Sequence, residues 1–180
     1  MVLADMNAVF LLTAVLLFAA ANDIRFRKIP NYLTYTSMAS AIAYNTITYR
    51  LDGLLFSLEG ILLGFSFLAL PFLMGGMGAG DVKLLGAVGA LLGPKGVLMA
   101  FLFTAIVGGA YSIALLAFRG LLAGTVSRYW VALKNLLLTG SLRFMPSPVK
   151  EKDSSFCYGV AIAVGTLLSV FTRWKISGGA

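Results

Sequence analysis

The chain has 180 residues, of which 59% are hydrophobic and 12% charged, and a net charge of +7. A soluble domain carries about a quarter charged residues, and so much apolar surface cannot be buried inside a domain this small; an ordinary soluble globule is excluded, and an all-α polytopic membrane protein is expected. With no histidine and one cysteine, Cys157, the chain also excludes histidine-dependent triads, histidine or cysteine-cluster zinc sites and intrachain disulfides.

Six apolar runs approach the roughly 20 residues that a span requires. In chain order they are about Asn7–Ala21, Tyr32–Tyr49, Leu54–Leu73, Val82–Leu92, Val97–Phe118 and Phe156–Phe171. The first is not read as a cleaved signal peptide: Ala19-Ala20-Ala21 resembles a cleavage site, but the leading segment carries Asp5 and no Lys or Arg, the wrong charge for its n-region. The second run is rich in Thr, Ser and Tyr and is expected to face other helices. The fourth is too short to cross about 30 Å of hydrocarbon unaided. Glycines recur at four-residue spacing in Gly60 and Gly64, Gly89 and Gly93, Gly120 and Gly124, a pattern that lets membrane helices approach closely.

Lysine and arginine in the loops set the orientation. Arg25, Arg27 and Lys28 follow the first run, Lys83 opens the fourth, and Arg119, Arg128, Lys134, Arg143, Lys150 and Lys152 lie between the fifth and sixth. The opposite side receives Arg50, Lys95, Arg173 and Lys175. Loops one, three and five are therefore expected in the cytoplasm and both termini outside. Basic residues so distributed are topology signals, not a nucleic-acid-binding face. In the long fifth connection, Val126–Leu138 places Trp130, Leu133 and Leu137 on one helical face, as an interfacial amphipathic helix does and as a loop helix packed on its own protein equally would. Met145-Pro146-Ser147-Pro148 then ends that helix.

Seven acidic residues remain to be weighed. Asp5, Asp52, Glu151 and Asp153 fall in loops or near a terminus, where a solvated charge needs no explanation. Glu59 lies inside the third run, where a carboxylate is costly, yet near enough to its outer end to reach water. Asp23 closes the first run, at the unfavourable negative end of a helix macrodipole, among Arg25, Arg27 and Lys28. Asp81 follows Gly75-Gly76-Met77-Gly78-Ala79-Gly80 and opens the fourth run, where Asp also serves as an N-cap. The glycine-rich stretch is not a P-loop, because Gly-Lys-Ser or Gly-Lys-Thr is absent. As a pair the two are more informative. The topology puts both on the cytoplasmic side, and adjacent carboxylates share a proton, supplying a general base for water and a general acid for the amide product.

Gly78-Ala79-Gly80-Asp81-Val82-Lys83 resembles the GxGD motif of the type IV prepilin peptidases, a motif also found in presenilin-like intramembrane proteases. Asp23, with Arg25, Lys28, Ile29, Pro30 and Asn31, is similar to that family's first-aspartate segment. Phe156-Cys157-Tyr158-Gly159-Val160-Ala161 resembles its C-terminal signature, with Cys157 where the family usually has Pro. The resemblance implies a single membrane peptidase domain over residues 1–180, with six helices and no cofactor or metal. It further implies that Asp23 and Asp81 are catalytic, and that Gly78, Gly80, Lys83, Arg25, Lys28, Pro30 and Asn31 support the active-site loops. The implied substrate is a prepilin whose basic leader stays in the cytoplasm while its apolar helix lies in the bilayer. Lacking a cysteine-paired cytoplasmic domain, the chain resembles the compact type acting on Flp-type pilins in the cytoplasmic membrane, without N-methylation. A preflagellin-type leader peptidase is the nearest alternative. A transporter or ion-binding subunit using Asp23 and Asp81 is another, although no internal repeat supports it.

Overall fold

The structure, a computed structural model, describes residues 6–74, 76–118, 120 and 157–176. The chain divides into two compact units, Met1–Gly108 with Cys157–Ala180, and Gly109–Phe156. Of the second, the described part is the helix through residue 118 and Gly120, whose N–H bonds to the Ala117 carbonyl at 3.0 Å. The expected amphipathic helix over Val126–Leu138 and the Met145–Pro148 break lie outside the described residues.

Four helices and no strand make up the described residues: α1 (Met6–Phe26), α2 (Asn31–Leu73), α3 (Ala79–Phe118) and α4 (Tyr158–Ile176). The first three are each long and apolar enough to cross a membrane, and Tyr158–Arg173 is a shorter apolar helix. With 43 and 40 residues, α2 and α3 would each run about 60 Å if straight, twice the hydrocarbon thickness. Neither is straight. Arg50 (φ 56°, ψ −133°) interrupts α2 and Gly93 (φ 68°, ψ −174°), followed by Pro94, interrupts α3. Both breaks fall in the gaps expected between apolar runs.

The break in α2 is a reversal. Asn45 Nδ2 donates to Ser57 Oγ at 2.8 Å, although twelve residues of straight helix would separate them by about 18 Å. Asn45 also donates to the Ala90 carbonyl at 3.0 Å, so one fully buried amide ties both arms of α2 to α3. The second arm of α2 then meets the first arm of α3 backbone against backbone. A Cβ on Gly60 or Gly89 would collide with the other's carbonyl, so the repeated glycines set this close approach.

Residues 79–92 of α3 are too few to span hydrocarbon, and the structure explains why they need not meet it. Leu84, Leu85, Ala87, Val88, Ala90 and Leu91 are all at most 1% exposed. This short arm is apolar all round because it is surrounded by protein. Leu12, Leu16 and Ala19 of α1 and Ile162 of α4 join the same core. The expectation that the second apolar run faces other helices holds for one side of it: Thr34, Ser37 and Asn45 are buried, whereas Tyr32, Tyr35, Thr36, Ser40 and Thr48 are exposed.

Candidate active site

The site forms where α1 ends and α3 begins. α1 stops because Arg27 takes a left-handed conformation (φ 52°), its N–H bonding to the Asp23 carbonyl at 2.9 Å. That capping geometry usually falls to glycine, since a side chain strains it. Pro30, its φ fixed at −64°, then starts α2, and its carbonyl accepts from the Leu33 N–H at 3.2 Å. The tight turn over residues 27–30 holds the last turn of α1 near the first turn of α3.

Asp23, in that last turn, is 7% exposed, and Asp81 is 8% exposed. Asp81 occupies the first turn of α3 but is not its N-cap. Its N–H bonds to the Gly78 carbonyl at 3.1 Å, and its Oδ2 accepts from the Gly78 N–H at 3.2 Å. This is the reach-back of an acidic side chain from the third helical position to the cap residue, and it fixes the carboxyl with three residues of local chain. Asp23 is fixed from elsewhere. Its Oδ2 accepts from the Gly159 N–H at 2.8 Å, at the start of α4.

Both aspartates line one open cavity of about 230 Å³, together with Arg27, Lys28, Ile29, Gly78, Ala79 and Gly80. At about 30 Å³ per water, that space accepts several waters or a peptide group. The two carboxyls lie within electrostatic range of each other, and the Cys157 thiol is within range of both and of Arg27. Among the described residues no group of three or more metal-ligating side chains gathers at one point. What the cavity offers chemically is a buried carboxylate pair with two cations on an exposed rim.

The structure thus brings together Asp23, Asp81, Gly78, Gly80 and Lys28. Gly80 packs so closely on the turn that a Cβ there would stand 3.1 Å from Ile29 Cβ. Lys83 and Asn31 pair with one another instead: Lys83 Nζ donates to Asn31 Oδ1 at 2.9 Å and lies 4.9 Å above the Tyr35 ring. They staple the first turn of α3 to the first turn of α2. Arg25 is exposed, its guanidinium 5.3 Å from the Phe26 ring, and does not line the cavity. Arg27 lines it instead. Sequence spacing does not separate these two arginines, because the left-handed cap that Arg27 forms beside the cavity has no glycine to announce it. Gly159 was visible only as part of the C-terminal signature, with no role attached. Glu59 is exposed on α2 and is not among the cavity-lining residues.

The type IV leader peptidase family model matches residues 10–113, a stretch that includes both aspartates and ends before α4. The prepilin leader peptidase/N-methyltransferase of Bacillus subtilis (strain 168) is 35% identical over 103 residues, covering 56% of this chain and 41% of that relative. No solved structure matches. A family match over more than half the chain, apolar helices long enough to cross a bilayer, and the two motif aspartates inside the matched stretch lead to one conclusion: this integral membrane protein belongs to the type IV leader peptidase family.

Proposed function

We propose that the protein is a membrane-embedded aspartic endopeptidase that removes the leader peptide of type IV, Flp-type, prepilins at the cytoplasmic membrane face. The observation that carries this reading is the meeting of two nearly buried carboxyls, Asp23 and Asp81, on one open cavity. Family membership supports the reaction class, and the name of the Bacillus relative supports the substrate. The two hinges, at Arg50 and Gly93, support a six-span arrangement with loops one and three on the same side. The lysine and arginine bias of the loops makes that side the cytoplasm.

In this mechanism one aspartate is ionised and the other protonated, because two adjacent buried charges are costly. The ionised member takes a proton from water as the oxygen attacks the scissile carbonyl carbon. The protonated member donates to the carbonyl oxygen; as the tetrahedral intermediate collapses, the member that took the water proton passes it to the leaving nitrogen, and the other recovers its proton from the oxygen that becomes the carbonyl again. The C–N bond breaks, leaving a carboxylate on the leader and an amine on the mature pilin. The pair titrates as a unit. Arg27 and Lys28 on the rim favour the carboxylate that forms, and Gly78 and Gly80, having no side chains, let the substrate backbone come close to the Asp81 turn.

Co-expression with a prepilin, followed by gel shift, tests the reading. Asp23→Ala and Asp81→Ala each abolish leader removal while the protein still inserts in the membrane. Normal processing by either variant sinks it.

A further inference from the structure

Asp23 is held from the far end of the chain. Lying in the last turn of α1, it faces the negative end of its own helix, which disfavours a carboxylate. Arg25 is engaged over Phe26, and Arg27 and Lys28 are exposed. The buried donor comes instead from 136 positions away, where the Gly159 N–H meets Asp23 Oδ2 at 2.8 Å. N–H groups in the first turn of a helix have no carbonyl partner within it and lie at its positive end. The start of α4 therefore supplies what the end of α1 lacks.

This contact depends on position 159 having no side chain. A Cβ there would stand 2.8 Å from Asp23 Oδ2 and 3.1 Å from its Cβ and Cγ. Something would have to yield, and α4 is poorly placed to do so. Ala161, Ile162, Ala163 and Thr166 are all buried, and a Cβ on Gly165 would already be 2.5 Å from the Thr104 backbone of α3. The Asp23 carboxyl is the softer partner and is the group that moves.

We propose that Gly159 is a positioning residue for leader cleavage: its backbone N–H and its missing side chain together hold the Asp23 carboxyl on the cavity shared with Asp81. The inference rests on the reading of Asp23 and Asp81 as the reacting pair. It concerns a part of the chain beyond the stretch that the family model matches.

The test uses the full chain in lipid with a purified prepilin. Gly159→Ala lowers kcat by about 10²-fold, the scale of an ångström misplacement of a reacting group, and leaves KM as in the wild type. In thermal unfolding, Gly159→Ala lowers Tm clearly more in the wild-type background than beside Asp23→Ala, where the clashing carboxyl is gone and only the Cβ contact at 3.1 Å remains. An unchanged kcat, a loss expressed in KM, or an equal drop in Tm in both backgrounds overturns the proposal. If Gly159→Ala fails to accumulate in the membrane, the double variant decides: recovery with Asp23→Ala supports the proposal, and no recovery overturns it. Failure of the dyad reading has a different signature, which is cleavage at the wild-type rate by Asp23→Ala or Asp81→Ala. Loss of cleavage in both, beside a fully active Gly159→Ala, removes the role of Gly159 alone.

Discussion

The two aspartates are held in opposite ways. Asp81 is positioned by its own neighbourhood: Gly78 bonds to it twice, through N–H and carbonyl, within a single helical turn. Asp23 is positioned by tertiary structure, through an N–H belonging to a helix 136 residues away. One half of the site is complete as soon as residues 78–81 fold. The other half exists only when α1 and α4 have packed together. A local turn can be written into a short motif, whereas the geometry of a distant donor depends on every helix between.

The largest expected effect applies to both halves equally. Asp23→Ala and Asp81→Ala each reduce leader cleavage by at least about 10²-fold, the contribution of a positioned acid or base, measured as initial rates against a prepilin. The comparison breaks if one of them retains the wild-type rate. Next comes a purely tertiary anchor. Asn45→Ala leaves Ser57 and the Ala90 carbonyl without their buried partner, costing about 1–3 kcal/mol of stability, read from unfolding in mixed micelles. Its kcat is expected to remain near wild type, because Asn45 does not line the cavity.

The local half is sharpened by two neighbouring glycines. Gly80→Ala forces a Cβ to within 3.1 Å of Ile29 Cβ on the turn beside the cavity, and cleavage falls several-fold. Gly78→Ala meets Asp81 Oδ2 at an ordinary 3.4 Å and keeps most of its activity. The reverse order in an initial-rate assay would mean that the turn positions Asp81 differently. The smallest effect belongs to the staple outside the cavity. Lys83→Met loses one hydrogen bond and one cation–π contact, worth about 1 kcal/mol or less at a partly exposed site, and lowers Tm slightly with little change in kcat.

Much of this was legible in the sequence wherever a local rule decided it. The gaps around Arg50 and around Gly93-Pro94-Lys95 mark the hinges, because charges, glycine and proline interrupt apolar runs. The glycines at 60 and 89 announce close helix approach, and the lack of histidine and of a cysteine pair leaves the chemistry to Asp, Glu, Lys, Ser, Tyr or Cys157, among which the acidic residues are few enough to weigh singly. Asp81 is read correctly as a helix-start residue, though at the third position and not at the cap. Less legible were features that arise from packing. Nothing in Arg25-Phe26-Arg27 says that the second arginine takes the left-handed cap and lines the cavity. Nothing near Lys83 says that it is paired with Asn31, and nothing near Asp23 points to Gly159.

The central claim is that Asp23 and Asp81 together cleave the leader. It is tested most directly by single-turnover cleavage of a prepilin by the reconstituted chain, with Asp23→Asn, Asp81→Asn and Cys157→Ser compared side by side. The account predicts that both asparagine variants lose cleavage while Cys157→Ser cleaves at the wild-type rate. Cleavage by either asparagine variant at the wild-type rate, or its loss in Cys157→Ser alone, would contradict it.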